Sequence, residues 1–403
     1  MKYKADKTYI TIKCLIVLTY INKIGELIMK KNVIAVMLIA VTVANLISGC
    51  NNFANKVETS LEVTVVESVE KENTDTSNVD TIIFIDSVGR EVELPKNITR
   101  VAASGSVAQM IIYSLAPEML VGITSEWDDN QLEYIVEEYQ NLPKIGQFYS
   151  SGNLNLEEIV SLEPQVVIDI GETKKSISED MDSLTLQTDI PTIHIEATAK
   201  NMAEAYRMLG KILGKEEEAD ILAKYCERVY TDTIGIANKA EVDGSKKTMI
   251  YCLLETGNNV IVKGTFHAEI IDMLAENIAV VDDPSSRGSG NEVGMEQIIA
   301  WDPEVIVFQN ESIYDIAKTD KIWQELTAIK NNTYYEVPFS PHNWLGFPPS
   351  INRYIGMIWL AETLYPEIAE YDLKEEVKTF YKLFYHIDIT DEQFEELTKK
   401  AIK

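Results

Sequence analysis

The chain is short of the residues that hold metals and carry covalent chemistry. It has four cysteines and four histidines in 403 residues. No two cysteines stand as CxxC, and His194, His267, His342 and His386 are scattered without ligand spacing. There is no P-loop, no HExxH and no GxSxG, which removes the commonest phosphoryl-transfer, zinc-protease and serine-hydrolase readings. Clustered cysteines for iron–sulfur ligation are also missing, and that argues against a nitrogenase-like component. Basic residues are few: 36 Lys and Arg stand against 64 Asp and Glu, a formal charge of -28. Such a chain is a poor match for a row of nucleic-acid phosphates and has no polybasic membrane patch. An acidic, solvated surface is the plain reading.

What is present is globular. Apolar content of 46% and charged content of 25% are ordinary, and the length suffices for two cores. Cys14 and Cys50 lie in apolar N-terminal segments, leaving Cys226 and Cys252 in the body. Cys252 sits in the apolar run KTMIYCLLE and reads as a buried, inert thiol. A bridge between Cys226 and Cys252 stays open at this point.

The N-terminus reads as an address. Residues 30–50 are KKNVIAVMLIAVTVANLISGC: two lysines, an uncharged stretch, then small residues before Cys50. That order is a secretory signal, and its Ile-Ser-Gly-Cys ending resembles the lipobox of bacterial lipoproteins, which implies a lipid on Cys50. The apolar span is short for a transmembrane anchor. Met29 precedes Lys30 directly, so a start at Met29 and an extended n-region are both open. Residues 51–80 are polar and acidic without helical period and read as a disordered tether.

From Thr81 the pattern becomes α/β. TIIFID and REVELP predict a hairpin around SVG. TRVAAS, MLVGIT, QVVIDIG and IPTIHIE predict strands, interleaved with the helices VAQMIIYSLA and LEEIVSL. Two successive helical segments interrupt the alternation between about 199 and 240, the second long and free of proline. The pattern then restarts with KTMIYCLLE, IAVVDD, EVIVFQN and TYYEVP as strands, and helices run from about Pro349 to the end. The expected organisation is a signal segment over 1–50, a tether over 51–80, an N-terminal lobe over 81–200, bridging helices over 201–240 and a C-terminal lobe over 241–403. An internal echo supports two related lobes: EEIVSLEPQVVID at 157–169 matches EQIIAWDPEVIVF at 296–308, with Pro164 and Pro303 each seven residues after the first glutamate.

DSVGREVELP, TRVAA, LVGI and NLEEIVSLEPQVVI, followed by MEQIIAWDPEVIVF and IWQELTAIKNNTYYEVP, resemble the class III substrate-binding proteins of ABC importers. That family takes up siderophores, haem and vitamin B12. PHNWLGFPPSINRYIGMIWLAETLYP resembles a branch containing molybdate-type and metal-complex receptors. The resemblance covers Thr81 to the C-terminus. It implies two lobes facing a cleft, joined by one long backbone helix, with only modest closure on binding. It also implies an extracytoplasmic, lipid-anchored monomer that serves a permease and its ATPase. The expected ligand is a metal chelate or corrinoid, with a molybdate-type oxyanion as the alternative and a non-transport sensor or adhesin as a distant one. No covalent group besides the lipid is expected, no nucleic acid and no catalytic residue. One glutamate per lobe docks on the permease in such proteins; by position these are Glu157, with Glu158 as alternative, and Glu296.

Loops at strand ends supply the cleft candidates. In the first lobe these are Ser104, Gly105 and Ser106 before a helix, where backbone N–H groups meet anions, then Trp127, Tyr149 and Ser150, with Glu172, Thr173 and Lys174 after a strand. In the second lobe they are Thr265, Arg287 in SSRGSG, His342, Asn343, Trp344 and Arg353. His267 and His342 are the possible metal ligands. His194, inside IPTIHIE, reads as core and His386 as surface.

Overall fold

A computed structural model of the chain describes residues 80–149 and 152–403. Cys50, the leader, the tether and Ser150 lie outside the described residues. The folded part opens with an antiparallel hairpin, β1 (Thr81–Ile85) and β2 (Glu91–Pro95), paired Thr81 to Pro95. Asp86 closes its turn by accepting from the Val88 and Arg90 N–H groups, the side-chain turn that aspartate favours.

The first lobe is built on a parallel sheet of β3 (Val101–Ala103), β4 (Val166–Gly171) and β5 (Thr192–Glu196), in that spatial order. Every residue of β4 is buried, as a central parallel strand requires. Helix α1 (Ser106–Leu115) follows β3, α2 (Leu156–Ser161) precedes β4, and α3 (Ile177–Thr188) links β4 to β5. MLVGIT is not a strand. It makes single bridges, Val101 to Leu120 and Ile123 to Lys144, and Leu120, Val121 and Ile123 are buried as an irregular layer.

Two helices then cross to the second lobe: α4 (Met202–Leu213) and the 27-residue α5 (Glu216–Val242). The buried residues of α5, among them Leu222, Cys226, Val229, Thr233, Ile236 and Ala240, recur every three or four positions, the stripe of an amphipathic helix. The second sheet runs β11 (Tyr334–Glu336), β10 (Val305–Phe308), β6 (Thr248–Leu253), β7 (Asn259–Val260) and β9 (Asn291–Glu292), with β8 (Glu276–Asn277) also on β6. Here IAVVDD is not a strand: pairing stops at Asn277, and Ile278, Ala279 and Val281 pack on the lobe core instead. Helix α6 (Met295–Trp301) precedes β10 as α2 precedes β4. In both units an acidic residue in left-handed backbone ends the turn before the proline, Glu163 at φ 47° and Asp302 at φ 38°.

Helices α7 (Asn352–Leu364), α8 (Leu373–Phe384) and α9 (Asp391–Thr398) complete the chain. Nearly all of α7 is buried, and it packs against α5 and α8. One apolar cluster runs from Leu94 through α1, α4, α5 and α7 to Ala401, so both lobes grow from a shared helical spine. Cys226 and Cys252 are separate, free and buried, and burial pushes both thiols up. No bridge joins them.

Candidate ligand-binding cleft

A cavity of about 980 Å³ opens between the lobes. The first lobe contributes Ser104, Gly105, Ser106, Gln147, Tyr149 and Lys174, the second Phe266, His267, Arg287, Ser289 and Phe347. The expected loops after β3 and β4, and the SSRGSG loop, therefore meet in one place. Helix α1 begins at the cavity wall, and Gly105 at its N-cap gives no side-chain cap. Its first-turn N–H groups are left for a ligand.

Two cations flank the cavity. Arg287 is exposed and its side chain has no hydrogen-bond or ion-pair partner among the described residues. Lys174 Nζ lies 3.0 Å from the ring centre of Tyr149. Burial lowers the Lys174 ammonium, against the pull of Asp169 and Glu172. The Tyr149 hydroxyl donates to Asp180 Oδ2 at 2.7 Å, and burial, then that bond, push the phenol up.

His267 stacks on Phe347, centroids 5.2 Å apart, and its Nδ1 lies 3.2 Å from the Gly346 carbonyl. Burial first, then the Arg353 charge, bring this imidazole down to about 4. A Cβ on Gly288 would sit 3.1 Å from Phe347 and 3.3 Å from His267, so glycine lets the Arg287 loop close over this pair.

Several candidates lie elsewhere. Trp344 is fully buried and its Nε1 points to the Tyr381 hydroxyl at 3.4 Å. Helix α7 passes directly beneath it: a Cβ on Gly356 would be 2.0 Å from the Trp344 carbonyl oxygen. Asn343 is also core, donating to Tyr251 Oη at 2.9 Å. The PHNW segment is thus a packed clamp and not a cleft loop. Half-buried His342 rests against Trp127, centroids 5.9 Å apart, and neither lines the cavity. Burial brings His342 down to about 4, against the pull of Asp128. Arg353 is 2% exposed, lies behind Phe266 at 4.2 Å from the ring centre, and pairs with Glu269. Burial brings its guanidinium down to about 10. Thr265 bonds to Val262 and does not line the cavity. His267 and His342 are not gathered into a metal centre; among the described residues no group of three or more His, Cys, Asp and Glu side chains has that geometry. His386 is exposed, as expected, and bonds to the Tyr113 carbonyl.

Sequence reasoning missed Gln147, Asp169, Phe266 and Phe347 at the cleft. Asp169 carried a signal: it is the one charge in a wholly apolar strand, where a carboxylate needs partners. Those partners are Ser104 and His194. Glu157 and Glu296 are exposed in the first turns of α2 and α6, with no side-chain partner among the described residues.

Two α/β lobes on a common helical spine, meeting at a cavity open to solvent, define a two-lobed ligand-binding protein. The chain belongs to the periplasmic binding protein family, whose model matches residues 101–341. A solved ABC transporter solute-binding protein from Sulfurospirillum deleyianum is 28% identical, with a TM-score of 0.71 over 79% of this chain and 99% of that one. The molybdate-binding protein MolA of Haemophilus influenzae is 22% identical over 75% of this chain and 90% of its own length. The Fe(3+)-citrate-binding protein YfmC of Bacillus subtilis is 25% identical over 54% of this chain and 66% of its own. The chain is a substrate-binding protein of the ABC-transporter class. No helix among the described residues is long and apolar enough to cross a membrane.

Proposed function

We propose that the interlobe cavity captures an anionic metal chelate and that the lobes present it to an ABC permease. The observation that carries this is the cavity itself. At about 980 Å³ it stands at the upper end of small-molecule sites, roughly 300–1,000 Å³, far more than a tetrahedral oxyanion needs. Its walls combine an uncapped helix N-terminus and two cations with aromatic surface from Tyr149, Phe266 and Phe347. The polar groups suit peripheral carboxylates, and the rings give contact area to a larger body. Similarity to an Fe(3+)-citrate-binding protein supports the same reading. Similarity to a molybdate-binding protein favours a bare oxyanion as the second reading. Calorimetric titration with ferric citrate and with molybdate separates them. Ferric citrate should bind more tightly, and Arg287→Ala should weaken it by about 1.5–3 kcal/mol, the range for hydrogen bonds to charged groups. Tight molybdate binding with none of ferric citrate would reverse the choice.

The same reading assigns Glu157 and Glu296 to permease docking and Cys50 to lipid anchoring at the outer face of the membrane. Mass spectrometry of the membrane fraction should find a diacylglyceryl group on an N-terminal Cys50; an unmodified Cys50 within an intact precursor would remove the anchor from the account.

A further inference from the structure

The floor of the cleft holds a hydrogen-bond chain through Ser104, Asp169, His194 and Thr173. Asp169 and His194 are register partners on β4 and β5, so their side chains leave the sheet on one face. His194 Nδ1 lies 2.7 Å from Asp169 Oδ2, and its Nε2 lies 3.0 Å from Thr173 Oγ1. On the other carboxylate oxygen, Oδ1, Asp169 accepts the hydroxyl proton of Ser104. The Ser104 backbone is fully used: its N–H donates to the Ile168 carbonyl at 3.0 Å and its carbonyl accepts from Phe148 N–H at 2.7 Å. Only Oγ is left to meet a ligand. A serine hydroxyl has one proton and two lone pairs, and here the proton is committed to Asp169. Ser104 and Asp169 are 2% and 5% exposed and both line the cavity, so water does little to relax this polarity. Toward the ligand, Ser104 offers lone pairs only.

We propose that Ser104, oriented by Asp169, is a specificity-determining acceptor that selects a ligand presenting a proton donor to the first lobe. This rests on the reading that the interlobe cavity is the ligand site, and it narrows the ligand. A hydroxyl, a metal-coordinated water or a protonated oxyanion meets Ser104 well. A fully deprotonated oxyanion sets lone pairs against lone pairs in a buried place, an unmet pairing that discriminates strongly. The neighbouring N–H groups of α1 take the anionic part of the ligand, and Ser104 takes its protonated part. Asp169 is a positioning residue in this arrangement, and His194 holds Asp169.

Asp169→Asn tests it by reversing the polarity without changing the shape. The amide oxygen can still accept from His194, while the amide N–H donates to Ser104 and frees its proton for the cavity. Phosphate and sulfate are the matched probes: they share a shape, and at pH 7 phosphate keeps a proton where sulfate has none. Direct titration of wild type should show phosphate bound at least tenfold more tightly than sulfate. Asp169→Asn should abolish or invert that ratio, and Ser104→Ala combined with Asp169→Asn, which removes both the hydroxyl and the carboxylate acceptor, should bring it to about one. Absence of a phosphate preference in wild type, or its survival in both variants, overturns the assignment. Ferric citrate is titrated in parallel. Failure of ferric citrate alone removes the chelate reading and leaves Ser104 as acceptor. Binding of ferric citrate without a phosphate preference removes the acceptor and leaves the chelate.

Discussion

Arg353 and Glu269 form an ion pair at the joint of the two lobes, Nη1 to Oε2 2.6 Å, with the arginine side chain 2% and the glutamate side chain 24% exposed. The pair fixes more than itself. Glu269 also accepts from the Ala199 N–H at 3.2 Å, and the Tyr354 hydroxyl donates to the Ala199 carbonyl at 2.8 Å. Ala199 stands between β5 and α4, so two residues of the second lobe hold the exit from the first. Arg353 also reaches the Phe266 carbonyl and backs its ring. The pair therefore supports the cleft wall from behind.

Glu269→Ala leaves Arg353 buried without its countercharge. The expected loss of stability is about 3–5 kcal/mol, as for a buried charge left without its partner. The double change Glu269→Ala with Arg353→Met should cost less than the two single changes added together. Denaturant unfolding measures all three, and a Glu269→Ala cost below about 1 kcal/mol would show that the pair is not structural.

Trp344→Ala should act on folding and not on binding. Removal of a fully buried tryptophan costs about 3–5 kcal/mol, and Gly356→Ala should destabilise as well, because its Cβ has no room under the Trp344 carbonyl. Thermal melting with titration of the folded fraction checks this. A stable Trp344→Ala protein with weakened ligand binding would return the tryptophan to the cleft.

The two histidines held near a pKa of about 4, His267 and His342, make stability depend on pH. Unfolding returns each to about 6.5, so between pH 6.5 and 4 the unfolded chain binds more protons. Stability is then complete above 6.5 and falls as pH drops toward 4, by about 3 kcal/mol per histidine. His267→Gln should flatten part of that slope in chemical denaturation measured from pH 7 to pH 4.5. An unchanged slope in His267→Gln would mean that this imidazole is not buried as a neutral ring.

Much of this architecture was legible, and the failures have physical causes. The hairpin, the apolar strands β4, β6 and β10, and the long α5 follow from period and length alone. MLVGIT and IAVVDD have strand composition, yet their inward side chains, Leu120, Val121 and Ile123 in the first and Ala279 in the second, are buried by packing with little ladder pairing, a distinction that apolar runs do not carry. At the cleft, Gly105–Ser106 and the Arg287 loop were readable because glycine and serine stood at strand and helix ends. Trp344 misled because Pro and Gly around an aromatic look the same in an exposed loop and in a buried clamp. Phe266 and Phe347 were missed for the converse reason: nothing in FHA or GFPP shows which phenylalanine faces solvent.

Glu157 and Glu296 are expected to act in delivery. Exposed carboxylates in matching first turns are placed to meet cations on a partner. Changing either to Arg should leave ligand affinity within a few-fold and lower uptake in whole cells. Loss of affinity, with permease association intact in a pull-down, would reverse their assignment.

The central claim, that the interlobe cavity holds a metal chelate, is tested most directly on protein purified from its own cells. Native mass spectrometry and absorption spectroscopy should find one bound species per chain, with the mass and charge-transfer band of a metal chelate, and Arg287→Ala should deplete it. A bound mass equal to molybdate with no visible absorption, retained at the same occupancy in Arg287→Ala, would contradict the account.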